Sequence, residues 1–108
     1  MFYHHRLKAY VLSLETAKRV PSLTRNYPYY LSDQLKRAIS SIILNIAEGN
    51  GRIGPKDRKR FFNIAVASAK ESASAFDIAF AYRLISEIDY HQMQDSLLQI
   101  VKMLSKLS

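Results

Sequence analysis

The chain contains no cysteine, so it has no disulfide framework, no thiolate metal site and no cysteine nucleophile. A protein of a reducing compartment is expected, with the cytoplasm as its location. Long apolar runs are also lacking. The longest, Ile42 to Ala47, is interrupted by Asn45 and falls far short of the roughly 20 residues that span a bilayer. No membrane association is expected. The N-terminus carries His4, His5, Arg6 and Lys8 ahead of an amphipathic pattern, without the apolar segment of a secretory signal. Glycine and proline number three each, too few to punctuate an all-β chain. A hydrophobic content of 48% excludes a disordered one. At 108 residues the expectation is a single domain spanning 1–108, all-α and compact.

Charge is distributed unevenly. Sixteen Lys and Arg against nine Asp and Glu leave a net +7, which permits binding to nucleic acid or to an anionic membrane without establishing either. Residues 1–51 carry +4 and residues 61–108 carry −1, while the nine residues from Arg52 to Arg60 (Arg-Ile-Gly-Pro-Lys-Asp-Arg-Lys-Arg) carry +4 by themselves.

Apolar spacing predicts four helices. Leu7, Tyr10, Val11, Leu14 and Ala17 recur at intervals of three and four and define a core-facing stripe on helix 1. That helix is expected to end near Val20, because Pro21 disfavours helical geometry in its predecessor. Residues 21–30 form a connection with turn chemistry at Asn26 and Pro28. Ser32 is the expected N-cap of helix 2, which runs to about Glu48 and stops at Gly49-Asn50-Gly51 through a left-handed glycine. Pro55 suits the first turn of helix 3, and the stretch from Lys56 to Leu84 has no proline or glycine, so that helix is expected to reach roughly 30 residues. Asp89 and Gln92 have the spacing of a capping box for helix 4, whose seam is Met93, Leu97, Ile100, Leu104 and Leu107. Short connections make an up-down-up-down four-helix bundle the simplest architecture.

Helices 2 and 3 each have a second face. On helix 2, Leu35, Ala38, Ile39, Ile42 and Ile46 form the core side. Gln34, Arg37, Ser41, Asn45, Glu48 and Arg52 form a polar line flanked by Ile43, Leu44 and Ala47. Buried charge must be compensated, so a partly buried network is expected in which Glu48 pairs with Arg37 or Arg52 and Asn45 bridges neighbouring groups. On helix 3, Phe62, Ala65, Ala69, Ala73, Phe76, Phe80 and Leu84 oppose Ile64, Ala67, Glu71, Ile78 and Tyr82. A bundle of this size has one interior, so a second semi-apolar surface points to self-association into a closed ring or dimer.

Leu35-Lys36-Arg37-Ala38-Ile39-Ser40-Ser41-Ile42, then Asn45-Ile46-Ala47-Glu48-Gly49 with Arg52, then Arg60-Phe61-Phe62-Asn63-Ile64-Ala65 with Glu71 resemble the four-helix-bundle family named for 23S ribosomal RNA intervening sequences. The resemblance implies an up-down bundle assembled into a homopentameric ring. It also implies similarity to the accessory protein of diversity-generating retroelements, a basic pentamer that binds nucleic acid and a reverse transcriptase. In the family a Gly-Ser pair precedes the helix 3 glutamate. Here Ala67-Ser68 precedes Glu71, placing a methyl group at the closest helix contact.

The residues expected to contact nucleic acid are Arg52, Lys56, Arg58, Lys59 and Arg60, by phosphate neutralisation, with Lys18 and Arg19 as secondary candidates. Basic residues in a first helical turn oppose the macrodipole at a cost of about 0.3 to 1 kcal/mol. Arg37, Asn45, Glu48 and Glu71 are assigned to a structural polar network. Arg25, Tyr27, Tyr29 and Tyr30 could stack on bases, but are expected to pack over the bundle end. His4, His5 and His91 lack the i, i+4 histidine pairing of a helical metal site, and Gly49-Asn50-Gly51 lacks the Gly-Lys-Ser/Thr of a phosphate-binding loop. Glu48 and Glu71 are expected to pair with arginine rather than act as an acid–base couple. No metal, cofactor or catalytic residue is expected. The expected function is that of a non-enzymatic, oligomeric accessory protein binding RNA or DNA with little sequence specificity. The alternative is a scaffold that recruits a nucleic-acid enzyme without binding nucleic acid itself.

Overall fold

The computed structural model describes the backbone of residues 2–107 and the side chains of residues 6–106. Four helices occupy nearly all of it: α1 (Phe2–Leu23), α2 (Tyr29–Asn50), α3 (Pro55–Ala81) and α4 (Glu87–Leu107). Each packs on its neighbour in sequence, and α1 also packs on α4 to close the square. The result is an up-down-up-down bundle of 43 × 23 × 18 Å.

The core side of α2 is as the spacing predicts: Leu35, Ala38, Ile39, Ile42 and Ile46 are all buried. All but Ala38 share one core with Phe62, Ala65, Ala69 and Phe76 of α3 and Met93, Leu97, Ile100 and Leu104 of α4. Burying Phe62 and Phe76, at 1% and 0% exposure, stabilises the fold by roughly 1.5 to 3 kcal/mol each. Phe80, expected in the same stripe, is exposed, and Leu84 is half-buried beyond the end of α3. The side chain of Leu107 lies outside the described residues.

Helix α1 meets its expected orientation only in part: Tyr10 and Ala17 are half-buried against the core. Leu7, Val11 and Leu14 point outward, and the buried face is Ala9, Ser13, Thr16 and Val20. The hydroxyls tolerate burial because each donates to a carbonyl one turn back, Ser13 to Ala9 at 2.7 Å and Thr16 to Leu12 at 2.8 Å.

Five helix boundaries also differ from expectation. Pro21 does not stop α1 at Val20; it lies inside the last turns, and Thr24 closes the end by donating its backbone N–H and its Oγ1 to Val20 O at 3.0 and 2.8 Å. Ser32 is not an N-cap, since α2 starts at Tyr29 after Pro28. Gly49 lies within α2, and Gly51 at its C-cap is right-handed with φ −83°. The left-handed residue is Arg83, φ 59°, which turns the chain after α3 ends at Ala81, three residues before Leu84. Asp89 and Gln92 are not a capping box. Ser86 caps α4, its Oγ accepting from Asp89 N–H at 3.1 Å.

Candidate functional site

The α2–α3 connector gathers the densest charge at one end of the bundle. Pro55 opens α3, with Gly54 extended before it at φ −77° and ψ 135°. Helical spacing from there places Lys56, Lys59, Arg60 and Asn63 on one side. With Gly54 and Asp57 they line an open groove of about 590 Å³. Lys56 and Lys59 are exposed and form no ion pair among the described residues. Their ammonium groups face solvent without a direct ion pair, with Asp57 the one carboxylate lining the groove.

The arginines are held in place. Arg52 pairs with Glu48 at 3.0 Å and with Asp57 at 3.5 Å, and Arg60 pairs with Asp57 at 3.4 Å. Both guanidinium groups lie over Phe61, 4.8 and 4.5 Å from its ring centre, each contact contributing about 0.5 to 1 kcal/mol at such exposure. Arg58 turns back and donates to the carbonyls of Arg52 and Ile53. The five expected cations are thus brought together, with Glu48 and Asp57 offsetting part of their charge.

Arg19 does not join them. At the far end of α1 its guanidinium spans to α4, donating to Asp89 Oδ1 at 2.9 Å and Gln92 Oε1 at 2.8 Å. Its charge and donors join α1 to α4, so this candidate phosphate contact lies apart from the connector and is engaged with protein acceptors. Lys18 is exposed and has no ion pair among the described residues.

The polar network separates into independent pieces. Glu48 pairs with Arg52, as one of its two expected partners, but Arg37 pairs with Asp33 at 3.0 Å on its own helix. Asn45 donates to Ser41 O at 2.8 Å and lies 3.1 Å from Ser41 Oγ, which is 2.7 Å from Ser68 Oγ across the α2–α3 contact. Glu71 is exposed and makes no ion pair among the described residues. Arg37, Asn45, Glu48 and Glu71 are therefore not one network, because the polar line lies toward solvent at its ends and reaches α3 only near its centre.

Of the tyrosines expected over the bundle end, only Tyr27 packs there, at 8% exposure; Tyr29 and Tyr30 are exposed. Burial, and secondarily the charge of Asp89, push the Tyr27 phenol up to about 12. Its hydroxyl is buried without a hydrogen-bond partner. His91 lies 3.7 Å from Glu87 and edge-on to Tyr90, itself stacked on Phe80 at 4.3 Å. The side chains of His4 and His5 lie outside the described residues. Asn63 and Phe61 were not singled out by composition. The three- and four-residue steps from Lys56 through Lys59 and Arg60 to Asn63 carry the signal for the first, whereas the role of Phe61 emerges only when Arg52 and Arg60 are placed over its ring.

The model of the 23S rRNA-intervening sequence protein family matches residues 5–106. The chain belongs to this family. A crystal structure of a protein of unknown function from the S23 ribosomal protein family of Bacteroides thetaiotaomicron superposes with a TM-score of 0.88, covering 95% of this chain and 96% of that one at 23% identity. That likeness establishes the bundle fold. No curated protein matches the chain. Among the described residues no helix of this family member is long and apolar enough to cross a membrane.

Proposed function

We propose that the protein is a non-enzymatic accessory factor that binds the backbone of RNA or DNA through the α2–α3 connector. The observation that carries this reading is the open groove where Lys56, Lys59 and Arg60 converge beside Asn63 and Asp57, with neither lysine in an ion pair among the described residues. Such cations attract phosphates and release counterions, giving binding that falls with salt and is nearly indifferent to sequence. Asn63 adds a neutral donor of the kind that positions a phosphate or sugar.

The active form in this reading is a homopentameric ring, in which repeated connectors add their weak contacts. The outward row Leu7, Val11 and Leu14 on α1 and the outward Leu44, Ile64 and Ile78 on α2 and α3 are different surfaces. A contact between unlike surfaces generates closed rings when its rotation closes. A second reading, a scaffold that recruits a nucleic-acid enzyme such as a reverse transcriptase, is favoured by the groove of about 360 Å³ lined by Leu7, Val11, Leu12 and Met103; in it this face seats the partner and the subunits meet through α2 and α3.

Light scattering of the protein with a short structured RNA, at about 50 and 300 mM salt, separates the two. Nucleic-acid binding predicts an oligomer whose mass rises with RNA at low salt and less at high salt. An oligomer indifferent to RNA at both salts supports the scaffold.

A further inference from the structure

We propose that Ile53 is a wedge that enters a weakened base step of a duplex while the surrounding cations hold the flanking phosphates; this rests on the reading of the connector as the nucleic-acid site. Ile53 is 94% exposed, the most exposed large apolar side chain among those described. It sits at the tip of the basic hairpin, directly between Arg52 and Gly54-Pro55. An isolated exposed isoleucine on a slack loop would mean little. This tip is fixed.

Arg58 Nη1 donates to Ile53 O at 2.5 Å and to Arg52 O at 3.3 Å, bracing the tip from α3. Arg52, next in the chain, is itself tied to Glu48 and Asp57 and lies over Phe61. On the other side, Pro55 fixes its own backbone at the first turn of α3. The side chain is therefore presented outward by a loop that has little ordering left to lose on binding.

Apolar wedges beside basic side chains are a recurrent means of prising base steps apart and bending a duplex. Pyrimidine–purine steps unstack most readily, so they are the expected points of entry. The groove with Lys56, Lys59 and Arg60 begins at Gly54, immediately next to the wedge, where the phosphates of an opened step would lie. A lipid surface is the weaker fit, because bilayer anchoring takes a whole amphipathic face or acyl chains rather than one isoleucine.

The test uses the full chain and short RNA and DNA duplexes carrying 2-aminopurine at a pyrimidine–purine step, a base that brightens when unstacked. Wild-type protein is expected to brighten the probe at low salt, and Ile53→Leu to retain the effect. Ile53→Ser is expected to lose the brightening while binding no more than about tenfold more weakly; its exposure leaves folding intact. Wild-type binding without brightening, or full brightening by Ile53→Ser, overturns the wedge and leaves the connector reading standing, as does binding to the single strand alone. No binding to the duplex or to its single strands overturns both. Capture of wild type but not Ile53→Ser on phosphatidylserine-containing vesicles, with no brightening of the duplex, assigns the tip to a lipid surface and also overturns the wedge.

Discussion

Gly49 of α2 and Phe62 of α3 are in direct contact: a Cβ on Gly49 would lie 2.5 Å from Phe62 Cε1. Gly49 is buried and Phe62 is 1% exposed, so the ring has core on its other sides and little room to retreat. The glycine is there for close approach, not for a turn.

Gly49→Ala therefore sets two effects against each other. Helix propensity favours alanine by about 1 kcal/mol, while overpacking a fixed ring costs about 1 to 3 kcal/mol. With the ring enclosed the steric effect dominates, and a net loss of up to about 2 kcal/mol is expected in urea denaturation. Combining it with Phe62→Leu should recover part of the loss, giving a coupling that separate sites would not show. A stabilised Gly49→Ala would show that the ring moves freely.

Arg19→Ala is expected to lower stability by about 0.5 to 1 kcal/mol, since its pairing with Asp89 is only half shielded from water. Nucleic-acid affinity should remain unchanged, because the guanidinium already has two protein acceptors on α4. Equal losses of affinity in Arg19→Ala and Lys59→Ala would return Arg19 to the binding surface.

The phenol of Tyr27 gives an alkaline signature. Its hydroxyl is buried and unpartnered, so Tyr27→Phe should leave stability at neutral pH unchanged or raise it by up to about 1 kcal/mol. In the folded chain the phenol is pushed up to about 12 from 10.0, and an unfolded chain ionises first. Between those values the native state binds more protons, so stability falls as pH rises. Denaturation curves from pH 9 to 12 should show a shallower decline for Tyr27→Phe. Tyr90 contributes in the same direction through its hydrogen bond to Asp77, so the decline should not vanish.

Val11→Asp tests the outward face of α1. Val11 is exposed, so the monomer should keep its helical content and its stability to within about 0.5 kcal/mol. Light scattering should show a smaller assembly if this row forms a subunit contact, and an unchanged mass would remove it from the interface.

Periodicity within one helix was legible where a large apolar stripe met the core, as with Leu35 to Ile46 and Met93 to Leu104. It misled on α1, because Leu7, Val11 and Leu14 look more core-like than Ala9, Ser13 and Thr16. The self-bonded hydroxyls and small volumes of the latter make them the better packing face. Gly49 reads as a helix stop until Phe62, thirteen residues on, is placed against it. Asp89 and Gln92 fit a local capping pattern, yet their partner is Arg19, seventy residues earlier. Charge density located the cluster of cations at the bundle end, since its residues are neighbours in sequence. How its arginines are braced, and which lysines remain free, depended on Glu48, Asp57 and Phe61 in three dimensions.

The most direct test of the central claim is the salt dependence of RNA binding, measured by fluorescence anisotropy, for wild type and for a variant with Lys56, Lys59 and Arg60 all changed to Ala. The predicted result is weaker binding across unrelated sequences, with the slope of log affinity against log salt reduced by about 2 to 3 per subunit engaged. An unchanged affinity and slope would contradict the assignment of the connector as the nucleic-acid site.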